Sequence, residues 1–280
     1  MASFDQAEGL RRMLEAPKPR VLTFLSALRD DEKSSMLVNL GVSLARQGQR
    51  VLMIDARCSN HSIGSWLGSD SESTLLDVAR QQRTMREAIK IVSSNLSVSM
   101  LSKYAMNSMR LPAENSRKLS RVFDVAANAA DLVIVDSEID SNDAFPLASF
   151  EESDVVIQVS ANPVTIKNAY GLIKRVNSRL GRRSYGILVS GATEQSARLV
   201  YANMAQAASR YLAVPLHFVG YVPEDDHMKQ AAHLGRAVID AFPLAGASIA
   251  FSKLAEQLAA AAQSTLGLRG LPELGVGIGI

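Results

Sequence analysis

The sequence is poor in the residues that mark several common classes of protein. Cys58 is its one cysteine, which excludes an internal disulfide framework and a cysteine-rich metal centre. Aromatic residues make up only 5%, and no apolar run approaches the roughly 18 residues of a membrane-spanning helix. Residues 1–20 also lack the apolar centre of a signal peptide. We therefore expect a soluble, cytoplasmic protein.

Charge of either sign is also not in excess. The 30 Lys and Arg residues nearly balance the 28 Asp and Glu residues, giving a net charge of +2. A net charge this small does not create the positive field that would indicate nucleic acid binding. The four histidines, His61, His217, His227 and His233, show no metal-ligand spacing. Neither nucleic acid nor a metal ion bound by these residues is predicted as a partner.

What the sequence does contain is an alternation of short apolar segments with longer helical patterns. Segments typical of buried strands lie at 20–26, 50–55, 96–101, 131–136, 154–160, 185–190 and 216–222. Helical patterns lie at 33–48, 113–130, 163–180, 195–211 and about 247–263. This alternation predicts an α/β fold, a doubly wound and mainly parallel sheet with helices on both faces. Ligands of such sheets bind at the carboxyl ends of the strands.

A candidate phosphate-binding loop, "ALRDDEKS" (27–34), follows the first predicted strand. The working motif is G-x-x-x-x-G-K-[ST], and here Ala27 and Glu32 occupy the two glycine positions while Lys33 and Ser34 match. The loop also carries three carboxylates. Two like unit charges 4 Å apart repel by about 1 kcal/mol in water and ~4 kcal/mol at an effective dielectric near 20. The loop therefore argues against ATP turnover.

From residue 20 to 262 the chain resembles the MinD/ParA family of deviant P-loop ATPases. "SALRDDEKSS" takes the place of the family loop, with Lys33, Ser34 and Ser35 at its conserved end and Leu28 in place of the signature lysine. "VLMIDA" resembles the strand ending in the water-aligning aspartate, which would be Asp55. "DLVIVDS" resembles the strand ending in the Mg²⁺-linked aspartate, which would be Asp136.

The departures from the family concern residues that contact the nucleotide. Arg57 replaces a second family aspartate, and Ser190 lies where the family has an adenine-reading asparagine. The resemblance thus implies a P-loop NTPase fold in which the phosphate and catalytic residues are vestigial. ATP and Mg²⁺ are implied as cofactors only if the site still functions. A purely structural role, capping the next turn, is the alternative for Asp55 and Asp136.

The three acidic residues of the loop permit two interpretations. In the first, Asp31 or Glu32 caps a helix that starts at Lys33 and occupies the position of the missing phosphate, stabilising the loop by about 0.5–2 kcal/mol. In the second, the loop is simply acidic and solvated. The sequence favours neither.

The N-terminal segment "DQAEGLRRML" (5–14) is the other informative feature. As a helix it places Ala7, Leu10, Met13 and Leu14 on one stripe, and "APKPR" separates it from the first strand. A helix this short is not stable alone, and it must therefore dock on its own core or on a partner.

The same segment resembles the FlhG (FleN) branch of the family, whose members begin with D-Q-A-x-x-L-R. The matching residues are Asp5, Gln6, Ala7, Leu10 and Arg11. A second match to the branch lies at 235–258. The resemblance implies that these residues engage an FlhF-type GTPase, and that the core controls flagellar number and placement. A flagellar transcription activator or a basal-body component is a further implied partner.

These observations predict an N-terminal partner-binding arm and spacer (1–20), a MinD-like α/β domain (21–263) and a flexible C-terminal tail (264–280). The tail lacks the basic amphipathic helix by which the family binds membrane, so membrane contact is expected to be weak or absent, with recruitment to the cell pole through partners. The predicted function is a flagellar regulator that acts through protein contacts and has lost its ATPase. The alternative is a divergent but active MinD/ParA-type ATPase. A DNA-partitioning role is disfavoured by the neutral charge balance. The sequence does not predict the oligomeric state.

Overall fold

The structure is a computed structural model that describes residues 19–57, 62–67, 73–104 and 111–263. Within those residues eight strands form one sheet: β1 (Arg20–Ser26), β2 (Val51–Asp55), β3 (Ile89–Ser93), β4 (Leu96–Met100), β5 (Leu132–Asp136), β6 (Asp154–Ser160), β7 (Tyr185–Ser190) and β8 (Leu216–Val222). Their order is β3-β4-β2-β5-β1-β6-β7-β8, and every neighbouring pair is parallel except β3 with β4. The predicted doubly wound, mainly parallel α/β fold is confirmed.

The helices of the described residues connect and cover these strands. They are α1 (Asp30–Arg46), α2 (Ile63–Trp66), α3 (Leu75–Ala79), α4 (Met85–Ala88), α5 (Ala113–Ala127), α6 (Ala148–Glu151), α7 (Pro163–Leu180), α8 (Glu194–Leu212), α9 (Asp226–His233), α10 (Val238–Ala241) and α11 (Gly246–Gln263). Apolar side chains of the sheet point alternately to its two faces and form two separate cores. One core includes α5, α7 and α8, and the other includes α1 and α11. The strands are therefore buried on both sides, as a parallel sheet requires.

Two features differ from the sequence-based expectation. The strand β3 was not predicted, because it is an edge strand whose side chains beyond Ile89 are exposed and show no buried apolar pattern. The helix α1 begins at Asp30, three residues before the predicted start at Lys33. The expected eight-residue loop is thus reduced to residues 27–29, and the three acidic residues lie in the first turn of the helix.

No helix in the described ranges combines the length and apolarity needed to cross a membrane. The predicted partner-binding residues Asp5 to Arg11 and the tail from residue 264 lie outside the described residues.

Candidate functional site

The carboxyl edge of the sheet brings together the chemically informative residues of three strands and one helix. Asp55 ends β2 and Asp136 ends β5, and the two aspartates are opposite each other in the parallel register. The β1 strand lies beside β5, and the chain passes from it through residues 27–29 into α1. Lys33 and Ser34 in the first turns of α1 are both buried. The fold therefore places Lys33 and both aspartates at the edge where ligands of parallel sheets bind.

The ammonium group of Lys33 is engaged by the protein itself. It forms an ion pair with the Asp136 carboxylate, and the side chains are only 2% and 1% exposed. Its Nζ also donates a hydrogen bond to the carbonyl oxygen of Ser137, at 2.7 Å. Burial lowers the pKa of Lys33, while the charge of Asp136 acts in the opposite direction. The cation that a P-loop offers to phosphate is here directed at a carboxylate.

Arg57 supplies a second internal cation. One guanidinium nitrogen lies 3.7 Å from Oδ1 of Asp136, and another forms an ion pair with Asp30 of α1. The Arg57 side chain is 7% exposed, whereas Asp30 remains 54% exposed. Asp30 thereby links the start of α1 to the segment after β2. The sequence showed the loss of a family aspartate at position 57, but gave no sign of these ion pairs.

Two backbone N–H groups of the short loop, and that of Lys33 in α1, are also occupied. The N–H of Ala27 donates to the carbonyl oxygen of Gln158 at 3.0 Å, and that of Leu28 donates to Oγ of Ser26 at 3.0 Å. The N–H of Lys33 donates to the carbonyl oxygen of Arg29 at 3.0 Å. A phosphate-binding loop instead directs such groups at its ligand. These three donors are satisfied within the chain.

The hypothesis that Asp31 or Glu32 caps a helix starting at Lys33 is wrong. The helix starts at Asp30, and no side chain forms a capping hydrogen bond at its N-cap residue, Arg29. The N–H of Lys33 already donates to the carbonyl oxygen of Arg29 within the helix. Glu32 instead contacts the Arg29 guanidinium at 2.8 Å and Asp31 contacts it at 3.5 Å, all three side chains being about half exposed or more. Acidic residues in a first turn still interact favourably with the helix dipole.

Asp55 is the second buried carboxylate of the site. Its Oδ1 accepts the backbone N–H of Arg57 at 3.1 Å, and Ser62 also bonds to the carboxylate. Burial raises the pKa of Asp55, with the neighbouring charge of Asp136 acting in the same direction. Burial also raises the pKa of Glu138, two residues after Asp136. Protonating either acid brings the site closer to neutrality.

The cavity that remains at this edge is small. It measures about 120 Å³, and Lys33, Arg57, Asp30 and Ser137 lie in its wall together with Glu138. Pockets for cofactor-sized molecules have volumes of roughly 300–1,000 Å³. The cavity is smaller than such pockets, and both cations in its wall, Lys33 and Arg57, are paired with carboxylates of the chain. Among the described residues, no three His, Cys, Asp or Glu side chains converge as a protein-only metal site would require.

Two other residues singled out by the sequence are Ser35 on α1 and Ser190 on β7. Ser35 is half-buried, and its carbonyl oxygen accepts a bond from Asn39 within α1. Ser190 ends β7, which is separated from β5 by β1 and β6. At about 4.8 Å a strand, that is roughly 14 Å across the sheet.

Comparison with known proteins supports the same family. No protein-family model matches the chain. The antiactivator FleN of Pseudomonas aeruginosa is 27% identical over 227 residues, which cover 81% of each chain. The solved structure of a ParA family ATPase from Chlorobium tepidum matches with a TM-score of 0.65 and 18% identity, covering 85% of this chain and 98% of that one. The septum site-determining protein MinD of Pyrococcus horikoshii, complexed with Mg-ADP, matches with a TM-score of 0.62 and 19% identity, covering 91% and 100%.

The sheet order, the helix after β1 and the lysine and aspartates at the carboxyl edge define a P-loop NTPase fold of the MinD/ParA type. Within this class, the curated relative that points to a particular branch is the antiactivator FleN, to which the chain is similar over most of its length.

Proposed function

We propose that the protein is a FlhG/FleN-like regulator of flagellar number and placement that acts through protein contacts and has lost ATP turnover. The observation that carries the proposal is the buried pair of Lys33 with Asp136. A phosphate group could reach that ammonium only by displacing a carboxylate in a poorly hydrated environment. The ion pair of Arg57 with Asp30 and the occupied N–H groups of the loop add to the same obstacle.

The partner contacts are assigned to the arm, residues 1–20, and the α/β domain of residues 21–263 is assigned the role of a regulatory scaffold. The motif residues Asp5, Gln6, Ala7, Leu10 and Arg11 engage and stimulate an FlhF-type GTPase in this proposal. FleN is an antiactivator, which supports a flagellar transcription activator as a second partner. A basal-body component is a third candidate. The protein acts in the cytoplasm and is recruited to the cell pole through these contacts, with residues 264–280 as a flexible tail.

Calorimetric titration tests the loss of nucleotide binding. Titrating ATP with Mg²⁺, and separately ADP with Mg²⁺, into the full chain is expected to give no binding heat at micromolar concentrations. MinD of Pyrococcus horikoshii, whose structure contains Mg-ADP, is the positive control. Micromolar binding to the full chain would reject this part of the proposal.

A divergent but active ATPase is the second candidate, because Lys33, Ser34, Asp55 and Asp136 remain together at the edge of the sheet. Steady-state phosphate release separates the two. An ATPase rate that Lys33→Ala abolishes, while the exposed variant Arg80→Ala retains it, would establish the second candidate.

The role of the arm is tested by a matched pair of arginines. Arg11 belongs to the motif and Arg12 does not. We expect Arg11→Ala to reduce stimulation of the partner GTPase by about tenfold, the effect of losing ~1.4 kcal/mol of binding, and Arg12→Ala to leave it within about twofold. Equal effects of the two substitutions would contradict a motif-specific contact.

A further inference from the structure

A cavity with a mainly apolar surface lies at the opposite end of the strands, where the parallel strands begin. It measures about 190 Å³ and is formed by the start of β2, the β3–β4 hairpin and the end of α5. Its apolar lining includes Leu52, Ile89, Ile91, Ala126 and Ala129. An apolar cavity of about 150 Å³ holds a benzene molecule, so this one has room for one or two aliphatic side chains.

The outer wall of this cavity is uncovered in the described residues. Ile91 pairs with Ser97 in the hairpin and is 77% exposed, and Ala129 beyond the end of α5 is also exposed. The β3 strand is the edge of the sheet. A wall of this kind, apolar and open at a sheet edge, suits an amphipathic segment that places side chains into it.

The chain outside the described residues joins the fold beside this cavity. The backbone N–H of Arg20, at the start of β1, donates to the carbonyl oxygen of Asp131 at 3.1 Å. The N–H of Asp131 in turn donates to the carbonyl oxygen of Arg50 at 2.8 Å, and Arg50 lines the cavity. Arg20 and Arg50 are therefore about two strand spacings apart, roughly 9.5 Å.

The spacer is long enough to cover that separation. Residues 15–19 span at most about 17 Å when extended. The apolar stripe of the arm ends at Leu14, so its last side chains come within reach of the side of the cavity formed by Arg50. A helix over residues 5–14 would be about 15 Å long and would bring Leu10 and Met13 to the same surface.

We propose that the arm docks on its own domain, with one or two side chains of the stripe of Leu10, Met13 and Leu14 seated in the cavity between α5 and the β3–β4 hairpin and the rest lying on its exposed apolar wall. This inference goes beyond the proposed function and does not depend on which partner the arm engages. The stripe cannot occupy the cavity and a partner's groove together, so the docked arm and the partner-bound arm exclude each other.

Limited proteolysis of the full chain tests the docking, because trypsin cleaves after Arg11 and Arg12. When opening is fast, cleavage of a docked segment follows the population of its open state. We expect Ile91→Glu and Ala129→Phe each to speed release of the N-terminal fragment by about tenfold. Both positions are exposed, and unchanged melting temperatures will show that the variants fold. Val164→Glu, at a 64% exposed position on α7, is the matched control and should leave the rate unchanged.

A double variant connects the arm to the cavity. Leu10→Glu alone should speed release as much as Ile91→Glu, and combining the two should add nothing further. Equal release rates in the full chain and all its variants would overturn the proposal. Protection that increases with protein concentration would also overturn it, because the arm would then dock on a second copy. Neither outcome bears on the GTPase assay of Arg11→Ala, so the two ideas fail separately.

Discussion

Lys33 and Asp136 form a fully buried ion pair at the position where a P-loop protein binds phosphate and Mg²⁺. Removing one partner leaves an uncompensated buried charge, which costs about 3–5 kcal/mol. We expect Lys33→Met and Asp136→Leu each to lower the free energy of unfolding by that amount. The double variant should lie within about 1 kcal/mol of the wild type, because a well-packed apolar pair often replaces a buried ion pair without loss.

Urea unfolding of the four proteins measures this double-mutant cycle. The exposed pair Glu194 and Arg198, at 2.8 Å, provides a control cycle in which the coupling should be below about 1 kcal/mol. Additive losses at Lys33 and Asp136 would show that the pair does not hold the site closed.

Asp55 should make stability depend on pH, because burial raises its pKa in the folded state. A raised folded pKa gives stability that is complete below the unfolded pKa of about 3.9 and is lost as pH rises through the folded pKa. Asp55→Asn does not titrate. The free energy of unfolding of this variant, measured by urea unfolding, should therefore increase relative to that of the wild type between pH 4 and pH 8.

Glu87 provides a control of opposite sign. The backbone N–H and the hydroxyl of Thr84 both bond to its carboxylate and lower its pKa. Its contribution is present above the unfolded pKa and is lost as pH falls. The free energy of unfolding of Glu87→Gln should therefore decrease relative to that of the wild type over the same rise in pH. A parallel trend in both variants would count against the assignment to Asp55.

Gln158 should be replaceable with a gain in stability. Its side chain is fully buried in β6, and neither amide atom has a hydrogen-bond partner among the described residues. An unsatisfied buried polar group costs about 1–3 kcal/mol. We expect Gln158→Met to raise the free energy of unfolding by about 1–2 kcal/mol, measured by urea denaturation.

Asn39 is the matched comparison for Gln158. It is equally buried, but its Oδ1 accepts the N–H of Val238 at 2.6 Å and its Nδ2 donates to the carbonyl oxygen of Ser35 at 2.7 Å. Asn39→Leu leaves the N–H of Val238 without this acceptor and should cost about 1–3 kcal/mol. If both substitutions destabilise equally, the amide of Gln158 has a partner in solution.

Gly220 should not tolerate a side chain. Its φ is +149° at the register shift between β7 and β8, and a Cβ there would overlap the side chain of Leu254. We expect Gly220→Ala to cost at least about 1–3 kcal/mol, from the backbone conformation alone. Gly171 in α7 has open space around it, so Gly171→Ala should instead stabilise by about 0.5–1 kcal/mol. Thermal melting of the two variants compares them directly.

The sequence predicted the strands that are buried on both faces, because their apolar runs carry a strong signal. It missed β3 because an exposed edge strand has no such pattern. At the site, Lys33, Asp55 and Asp136 could be identified from short motifs next to strands. The ion pair of Arg57 with Asp30 could not, because these residues are 27 apart in sequence and meet only after α1 packs beside β2. The sequence also did not indicate which of Asp30, Asp31 and Glu32 would pair with a residue of the site.

The pair of Lys33 with Asp136 also bears on how the amount of protein matters in a cell. A P-loop switch divides its molecules between nucleotide states, so a fixed number of copies can be active or inactive. Under the proposed function this chain has no such division, and its occupancy of any partner follows only the two concentrations and their dissociation constant. Control of flagellar number would then depend on copy number, set by synthesis and degradation.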